Sequence, residues 1–353
     1  MTSQERVLLA LQHKEADRVA IHDAPWGTTI ERWHQEGLPE DQSPAEYFGY
    51  EFAGVGADTS LQLPSETLEE TEEYTIVRNA NGALRRNWKH RTSTPEMIEF
   101  TVTNREKWEE LKPRMQMNDT RVGWANARKA QETARAQGKF FYYSGVIGYD
   151  KTQGIVGSER LLMAMITDPD WVKDLFMTGA QLLIDAAEEM MGRGFTFDAA
   201  FLYDDLGYRN ASFFSPQMYR ELLFPAHRLA FQFFRSKGLP VLLHSCGRTS
   251  GLVPQLIEAG LSCLQPLEVK AGMDLIQLKR DYGDQLAFMG GIDVRKMAAQ
   301  DPAEIEGEIR TKFEVAMKGG GYIYHSDHSV PDNVSFAQYK RVMELVHHYG
   351  RYT

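Results

Sequence analysis

The sequence predicts an α/β fold, a (β/α)8 TIM barrel carrying an N-terminal elaboration that contains a β-hairpin. From about residue 140 onward, short apolar strands alternate with helical stretches, which is the pattern of repeated βα units around a parallel sheet. The length of 353 residues fits this fold, because barrels with insertions run past about 250 residues as one unit. We therefore expect a single domain over residues 1–353, in which residues 20–120 form a cap-like elaboration.

The elaborated N-terminal third is predicted to begin with a helix. Thr2 and Glu5 have the spacing of a capping box, which marks a helix start. A short strand, RVAIHD, follows that helix. Asn81 and Gly82 stand between two runs of alternating polar and apolar residues, and this dipeptide favours the tight turn of a hairpin.

Six further strands are predicted in the barrel itself. They are KFFYYSGV, FDAAFLYDD, LPVLLHSC, LSCLQPLE, LAFMGGID and GYIYHSD. Ser215 and Pro216 mark one helix start between them, and Ser335 with Gln338 forms a capping box that opens the last helix. RVAIHD and one strand that the sequence does not locate would complete the eight.

Composition and charge restrict the kinds of partner. Apolar residues make up 42% of the chain and charged residues 25%, as in water-soluble globular proteins. The charged N-terminus lacks a signal peptide and no segment approaches the ~20 apolar residues of a membrane span, so we expect a cytoplasmic protein without membrane contact. A net charge of -10 argues against nucleic acid. A small-molecule substrate or a protein partner is expected, and a homo-oligomer stays open.

Polar residues follow most of the predicted strands. In a (β/α)8 barrel the carboxyl ends of the strands meet at the mouth of the active site, so these residues should converge. They are Asp204, Asp205, Glu268, Asp293 and His325. Successive strand residues face opposite ways, so only one of the two adjacent aspartates can point inward, and we favour Asp205. Asp293 and His325 are candidates for substrate binding, although Asp293 has helix capping as an equally good explanation.

His244 and Cys246 are candidates for metal binding. They are two residues apart, which places both side chains on one face of a strand, and Gly247 allows a sharp turn just beyond them. Thiolate and imidazole are ligands that zinc prefers. The alternative for this short motif is a buried cysteine beside a hydrogen-bonded histidine. Cys263, early in its apolar strand, is expected to belong to the core.

A third zinc ligand is expected at the end of the last strand. There the segment YHSDHSVPDN offers His325 and His328, within reach of a shared metal across a narrow barrel mouth. For either histidine the alternative is a solvated loop residue or a hydrogen-bond donor behind the ligands. Trp26 and Tyr143 are further candidates for substrate binding, since aromatic rings suit an aromatic substrate, but such residues also serve packing.

Six segments together resemble the uroporphyrinogen decarboxylase superfamily, and more closely its zinc-dependent, corrinoid-linked methyltransferase branch. They are ADRVAIHDAPW, GSERLLMAMITDPDWV, YDDLGYRNASFFSPQMYRELLFPAHR, LLHSCGRTSGLVPQLIEAGLSCLQPLE, MGGID and HSVPDN. The resemblance implies a (β/α)8 barrel whose zinc is held by a His-x-Cys pair, here His244 and Cys246, and by a later cysteine. That cysteine precedes a proline by three residues, and here His328 stands in its place before Pro331; His325 is the alternative.

The decarboxylase branch is an alternative that needs no metal. Its members resemble one another in an arginine-rich N-terminal segment, where this chain has AIHDAPWGTT. The basic residues that could instead serve a polycarboxylate substrate are Arg85, Arg86, Arg91 and Arg121. Basic residues in a hairpin, however, are more typical of a solvated face. A non-catalytic zinc-binding or ligand-binding module is a third interpretation.

The methyltransferase interpretation leads to a hypothesis about the methyl donor. Two neutral histidines and one thiolate would leave zinc with a net charge of about +1, which favours stabilising an oxygen leaving group. We therefore expect demethylation of an ether, with a methoxylated aromatic compound as candidate. Asp205 or Glu268 would donate a proton or position the substrate. The chain contains no D-x-H-x-x-G segment of the kind found in corrinoid-binding domains, so the corrinoid (cobalamin) would arrive on a separate protein.

Overall fold

The computed structural model describes residues 1–90 and 94–352, and within them eight parallel strands form the predicted barrel. The strands of the chain are β1 (Ala20–Ile21), β2 (Phe52–Gly56), β3 (Glu66–Glu70), β4 (Tyr74–Arg78), β5 (Leu84–Trp88), β6 (Glu96–Glu99), β7 (Phe140–Val146), β8 (Ala199–Tyr203), β9 (Val241–His244), β10 (Cys263–Gln265), β11 (Ala287–Met289) and β12 (Tyr322–Tyr324). The barrel sheet has the order β1-β12-β11-β10-β9-β8-β7-β2. The fold class predicted from the sequence is therefore confirmed.

The two outer strands of that order meet at a seam. The amide of Glu51, just before β2, donates a hydrogen bond of 2.9 Å to the carbonyl of Ile21 in β1. The carboxylate of Glu51 in turn accepts from the amide of Ile21 at 2.6 Å.

β2 is the strand that the sequence did not locate. It lies inside residues 20–120, so part of the predicted elaboration belongs to the barrel.

Helices surround the barrel and alternate with its strands. They are α1 (Ser3–Leu11), α2 (Gly27–Gln35), α3 (Pro44–Tyr47), α4 (Arg105–Leu111), α5 (Trp124–Ala136), α6 (Gly148–Val156), α7 (Ser158–Thr167), α8 (Pro169–Gly192), α9 (Pro216–Met218), α10 (Phe224–Ser236), α11 (Val253–Ala259), α12 (Leu275–Tyr282), α13 (Val294–Met297), α14 (Pro302–Ala316) and α15 (Phe336–Tyr349). The predicted capping boxes open α1 and α15, and the hydroxyl of Ser215 caps α9. None of the helices in the described ranges combines the length and apolar character needed to cross a bilayer.

The predicted hairpin belongs to a separate antiparallel sheet. β4 and β5 pair across the turn that contains Asn81 and Gly82, and β3 and β6 extend the sheet in the order β3-β4-β5-β6. The turn is fastened to the loop after β2, because the amide of Leu61 donates to the side chain of Asn81 at 3.1 Å. The added structure of the N-terminal third is thus this small sheet, set beside the barrel.

Side chains fill the barrel and separate an inner core from an outer one. The inner core is built from alternate residues of the strands together with one face of α1: Val7, Ala10, Leu11, Ala20, Phe52, Phe140, Ala199, Phe201, Leu242, Cys263, Ala287, Met289 and Ile323. The intervening strand residues, such as Phe141 and Leu243, pack outward against the helices. Because the interior is filled from below, chemistry is confined to the end at which the strands finish.

Candidate metal centre

Asp205, His244 and Cys246 come together at the carboxyl ends of β8 and β9. His244 Nε2 lies 3.3 Å from the sulfur of Cys246 and 3.5 Å from a carboxylate oxygen of Asp205. One donor atom from each of the three residues lies within 4.8 Å of the other two. The side chains of His244 and Asp205 are 25% and 37% exposed, so the cluster is open to a ligand from the mouth.

Strand register and a tight loop hold the cluster in place. His244 ends β9 beside Tyr203 of β8 and Gln265 of β10. The amide of Cys246 then donates to the carboxylate of Asp205 at 2.8 Å. Gly247 has a φ of 76°, and a Cβ at this position would overlap the backbone of Gly207. Glycine is therefore required for the loop after β9 to pack against the loop after β8.

The two donor separations measured from His244 are compatible with a tetrahedral zinc ion. With the usual zinc–ligand bonds of about 2.0–2.3 Å, two donors of a tetrahedral site lie about 3.3–3.8 Å apart. The separations measured from His244 Nε2 are 3.3 and 3.5 Å. Imidazole, thiolate and carboxylate are all zinc ligands, and three protein ligands leave a fourth position open, as in catalytic sites.

Burial and neighbouring acids set the protonation of the cluster without a metal. Burial, followed by the charges of Asp205 and Glu268, raises the pKa of the Cys246 thiol above its ordinary value. Burial lowers the pKa of His244, against the opposing influence of Asp205. Burial and then the charge of Asp205 raise the pKa of Asp150, at the start of α6, to about 6. A divalent cation would reverse this balance, since it favours both thiolate and carboxylate.

Glu268 lies behind the cysteine loop. Its carboxylate accepts from the amide of Gly247 at 2.7 Å, and Lys270 approaches its other oxygen at 3.1 Å. The side chain is 10% exposed. These contacts make Glu268 a support for the backbone that carries Cys246.

Asp204 faces away from the cluster, as the alternation of strand residues requires. It is fully buried and accepts from the amide of Asp150 at 2.7 Å. Its second oxygen lies 2.8 Å from His227 Nε2, and the other nitrogen of His227 lies 3.0 Å from the hydroxyl of Tyr219. Asp205 is therefore the member of the pair that the fold presents to the mouth.

His325 lies beneath the cluster and reaches His244 through Gln265. The amide nitrogen of Gln265 is 3.3 Å from His325 Nε2, and its oxygen is 2.6 Å from His244 Nδ1. His325 is 3% exposed, and its Nδ1 is 2.7 Å from the carbonyl of Ser326. The structure thus gives His325 a hydrogen-bonding position behind His244.

His328 is not a member of the metal cluster among the described residues. Its ring makes an edge contact with Trp26, with 5.8 Å between ring centroids. The two residues follow β12 and β1, so they lie on the other side of the mouth from Cys246. The structure thus places Asp205 beside His244 and Cys246, while the ring of His328 contacts Trp26, and the third ligand predicted at His328 stays a prediction.

Tyr143 and Asp293 are not brought to the cluster. Tyr143 is fully buried on the outer face of β7, where its hydroxyl donates to the carbonyl of Leu183 at 3.1 Å. Asp293 caps α13, accepting from the amide of Arg295 at 2.9 Å and pairing with the guanidinium of the same residue at 2.7 Å. Strand alternation turns Tyr143 away from the barrel interior and helix capping occupies Asp293, so their part in substrate binding stays a prediction that these positions do not support.

Two of the arginines considered for a polycarboxylate substrate, Arg121 and Arg86, have other partners. Arg121 is 2% exposed, and its guanidinium donates to backbone carbonyls that include Asp58 at 2.7 Å. Arg86 pairs with Glu96 at 2.8 Å inside the antiparallel sheet, which also contains Arg85. Arg91 lies outside the described residues.

Sequence reasoning missed Gln265, Asp150 and Tyr203. Gln265 ends β10, where the sequence drew attention to Glu268 instead. Asp150 follows β7 in a segment without an obvious motif, and the ring of Tyr203 lies 5.3 Å from that of His244. The signal available for Gln265 and Tyr203 was their position as the last residue of a barrel strand.

Comparison with known proteins gives a consistent family and fold. The model of the family described as Uroporphyrinogen decarboxylase (URO-D) matches residues 152–349, which is more than half of the chain. A methylated-thiol–coenzyme M methyltransferase of Methanosarcina mazei is 27% identical over 149 residues, covering 40% of this chain. The match spans only 35% of that relative's own length.

A solved structure extends the likeness in fold to the whole chain. It is a methyltransferase from Methanosarcina mazei, with a TM-score of 0.69 and 14% identity, and the alignment covers 99% of each chain. At this identity the match speaks for the fold alone. Together with the family model it confirms the resemblance drawn from the sequence segments.

Proposed function

The chain belongs to the uroporphyrinogen decarboxylase family, and from this premise we propose that it is a zinc-dependent methyltransferase. It would move a methyl group from a small methylated donor to a corrinoid carried by a separate protein. The observation that carries this proposal is the open cluster of Asp205, His244 and Cys246, whose donor separations fit zinc. Metal-free decarboxylation would have no use for a thiol and an imidazole placed in this way.

Asp205, His244 and Cys246 would hold the zinc ion through a carboxylate oxygen, Nε2 and the sulfur. Bound there, zinc supplies a Lewis acid that stabilises the negative charge left on the donor heteroatom when its methyl group departs. In this scheme Asp205 is a ligand, which supersedes its predicted part as a proton donor. Glu268 acts on the site indirectly, because its contacts hold the loop of Cys246.

The charge of the ligand set bears on the methyl donor. The expectation of an ether depended on two histidines and a net charge of about +1. With Asp205 in place of His328, two anionic ligands bring the net charge to about zero, which favours a donor whose leaving atom needs less electrophilic assistance. A methylated thiol fits this better than an ether, and the relative from Methanosarcina mazei bears a name of that class.

A methoxylated aromatic donor remains the second candidate. The contact of Trp26 with His328, and the ring of Tyr203 beside His244, give the mouth an aromatic lining. Such rings can stack on an aromatic substrate. The two donor classes are separated by experiment rather than by the fold.

The decisive experiment is methyl transfer to reduced cobalamin, followed by its absorption spectrum. Zinc-loaded protein is offered a methylated thiol, a methoxylated aromatic acid and uroporphyrinogen in separate reactions. We expect methylcobalamin to accumulate with the methylated thiol at a higher kcat/KM than with the methoxylated compound, and uroporphyrinogen to remain unchanged. Free cobalamin substitutes for the partner-bound corrinoid in this assay.

A His244→Ala, Cys246→Ala double variant is the matched negative control, and Cys263→Ala controls for loss of a thiol elsewhere. Decarboxylation of uroporphyrinogen without metal would contradict the proposal. Zinc binding without turnover of either methyl donor would favour a non-catalytic module.

A further inference from the structure

We infer that Gln265 and His325 are positioning residues that fix the proton of His244 on Nδ1 and keep Nε2 free for a metal. The inference rests on the proposed zinc site, and it assigns to that site two residues that do not contact the metal. Neither residue has a direct contact with Cys246. They act through the imidazole of His244.

The basis is a continuous line of hydrogen bonds that leads from the barrel interior to the cluster. It starts at the carbonyl of Ser326, 2.7 Å from His325 Nδ1. It continues from His325 Nε2 to the amide nitrogen of Gln265 at 3.3 Å, and from the amide oxygen of Gln265 to His244 Nδ1 at 2.6 Å. His244 Nε2 is the end of the line, 3.3 Å from the sulfur of Cys246.

The carbonyl of Ser326 determines which atom donates and which accepts in each hydrogen bond of the line. A backbone carbonyl can only accept, so His325 must carry its proton on Nδ1. In the neutral ring Nε2 is then an acceptor, and it takes a hydrogen bond from the Gln265 amide nitrogen. The amide oxygen is left facing His244, which must donate from Nδ1. His244 Nε2 is thereby left with a lone pair, the form in which imidazole binds a metal.

The surroundings of His325 direct the hydrogen bond of its Nδ1 proton to the carbonyl of Ser326. The nearby carboxylate of Asp23 is farther, at 3.7 Å from Nδ1. That carboxylate is occupied by the hydroxyls of Tyr339 at 2.8 Å, Tyr324 at 3.2 Å and Ser326 at 2.5 Å. Because Asp23 has its own donors and lies farther away, the carbonyl of Ser326 is the acceptor that the Nδ1 proton of His325 faces.

The opposite direction of the line would disable the cluster. If His325 carried protons on both nitrogens, the amide of Gln265 would have to turn its oxygen toward His325. Its NH2 group would then face His244 Nδ1, which would have to accept, and the proton of His244 would move to Nε2. A protonated Nε2 cannot bind zinc. Gln265 is thus the residue that links the orientation of His325 to the position of the proton on His244.

Nitrogen chemical shifts of metal-free protein labelled with 15N-histidine test the inference directly. We expect His244 to show a protonated Nδ1 and an unprotonated Nε2, and His325 a protonated Nδ1, at neutral pH. In Gln265→Leu the preference of His244 for the Nδ1 proton should be lost. A protonated Nε2 of His244 in the wild-type protein, or an imidazolium at His325, would overturn the inference.

Zinc affinity, measured by competition with a chelator, gives the second readout. Gln265→Leu should weaken zinc binding about 10- to 100-fold, the effect usual for residues that orient a metal-binding histidine. Gln265→Glu should retain an affinity closer to wild type, because a carboxylate still accepts from His244 Nδ1. Gln255→Leu, a half-buried glutamine on α11, is the matched control and should leave the affinity unchanged.

The two proposals fail in different ways. If the wild-type protein binds no zinc but its histidine tautomers are as expected, the proposed function is wrong, and the effect of Gln265 and His325 on the proton of His244 stands. If zinc binds and Gln265→Leu binds it as tightly as wild type, the positioning role is wrong and the zinc site stands.

Discussion

The cluster around Cys246 and the cluster around Asp23 both lie where barrel strands end, and both combine acids with histidines. In the first, the side chains of His244 and Asp205 are 25% and 37% exposed, and the donor atoms of the cluster lie close to one another. In the second, Asp23 is 3% exposed and accepts hydrogen bonds from three hydroxyl groups. We call the first the open side of the mouth, and the second the saturated side, because the carboxylate of Asp23 is saturated with hydrogen-bond donors.

This difference indicates that the cluster around Cys246 can bind a ligand, whereas the cluster around Asp23 stabilises the fold. Metal-ligand atoms that lie close together, with too few hydrogen atoms to bridge them, form a site at which a cation supplies the missing positive charge. A carboxylate that already receives several hydrogen bonds gains little from a ligand and stabilises the fold instead. The line through Gln265 and His325 connects the two sides, so the saturated side can hold the open one in shape.

The largest effect is expected when the open side loses its two motif residues. Wild-type protein purified without chelator should contain about one zinc per chain, and the His244→Ala, Cys246→Ala double variant should contain none. Metal analysis by mass spectrometry measures this, with Cys263→Ala as control because that thiol is buried in the barrel core. Equal zinc content in the double variant would mean that the two sides do not differ as described.

The next effect belongs to the saturated side. Asp23→Ala should lower the free energy of unfolding by about 3–5 kcal/mol, since three hydroxyls would lose a charged acceptor in the interior. Urea denaturation of the apo protein measures the loss, and Asp41→Ala, an exposed acid, should change little. The zinc content of the folded variant should stay at that of the wild type. Unchanged stability would show that the hydrogen bonds to Asp23 are dispensable.

A smaller effect distinguishes the two candidates for the third ligand. Asp205→Ala should weaken zinc binding more than the 10- to 100-fold typical of supporting residues, because a direct ligand is lost. His328→Ala should leave zinc affinity near wild type and affect the KM for the methyl donor instead, since His328 contacts Trp26. The reverse ranking in a chelator competition would restore His328 as the ligand.

The smallest effect concerns pH on the saturated side. His22 stacks on Phe52 with 4.8 Å between ring centroids, and burial, with a further contribution from His325, lowers its pKa from 6.5 to about 3. Below pH 6.5 the unfolded chain takes up a proton that the folded chain refuses, so stability falls as the pH decreases from 6.5 toward 3. Wild type should lose about 1–2 kcal/mol more than His22→Gln between pH 7 and 5 in urea denaturation. An equal loss in both proteins would contradict this.

Much of the fold followed from local patterns. The six barrel strands from residue 140 onward, the hairpin at Asn81 and Gly82, and the capping boxes at Thr2 and Ser335 were all predicted and are all present. These features depend on neighbours within a few residues, and short-range periodicity and capping record them. β2 was not located, because its sequence FAGVG has two glycines and little contrast between its faces.

The candidate site was predictable in part. His244 and Cys246 share a short segment and were predicted as metal ligands. The alternation of β8 favoured Asp205 over Asp204, but Asp205 was expected to donate a proton or position the substrate rather than to bind the metal. Tyr143 was expected at the site, but the sequence does not show which face of β7 turns inward, and the structure places this side chain on the outer face. His328 was chosen by its place in a motif, and the direction of its ring depends on a contact with Trp26 that lies about 300 residues away along the chain.

The sequence by itself determined the (β/α)8 barrel and the pair of residues at its most distinctive strand end, because both are encoded by local spacing. The tertiary structure alone decided which carboxylate lies beside the pair and which side chains stand behind it. Asp205, Gln265 and His325 come from three different strand ends, and their distances to His244 depend on the register of the closed barrel. A difference of one residue in that register would turn each side chain to the opposite face.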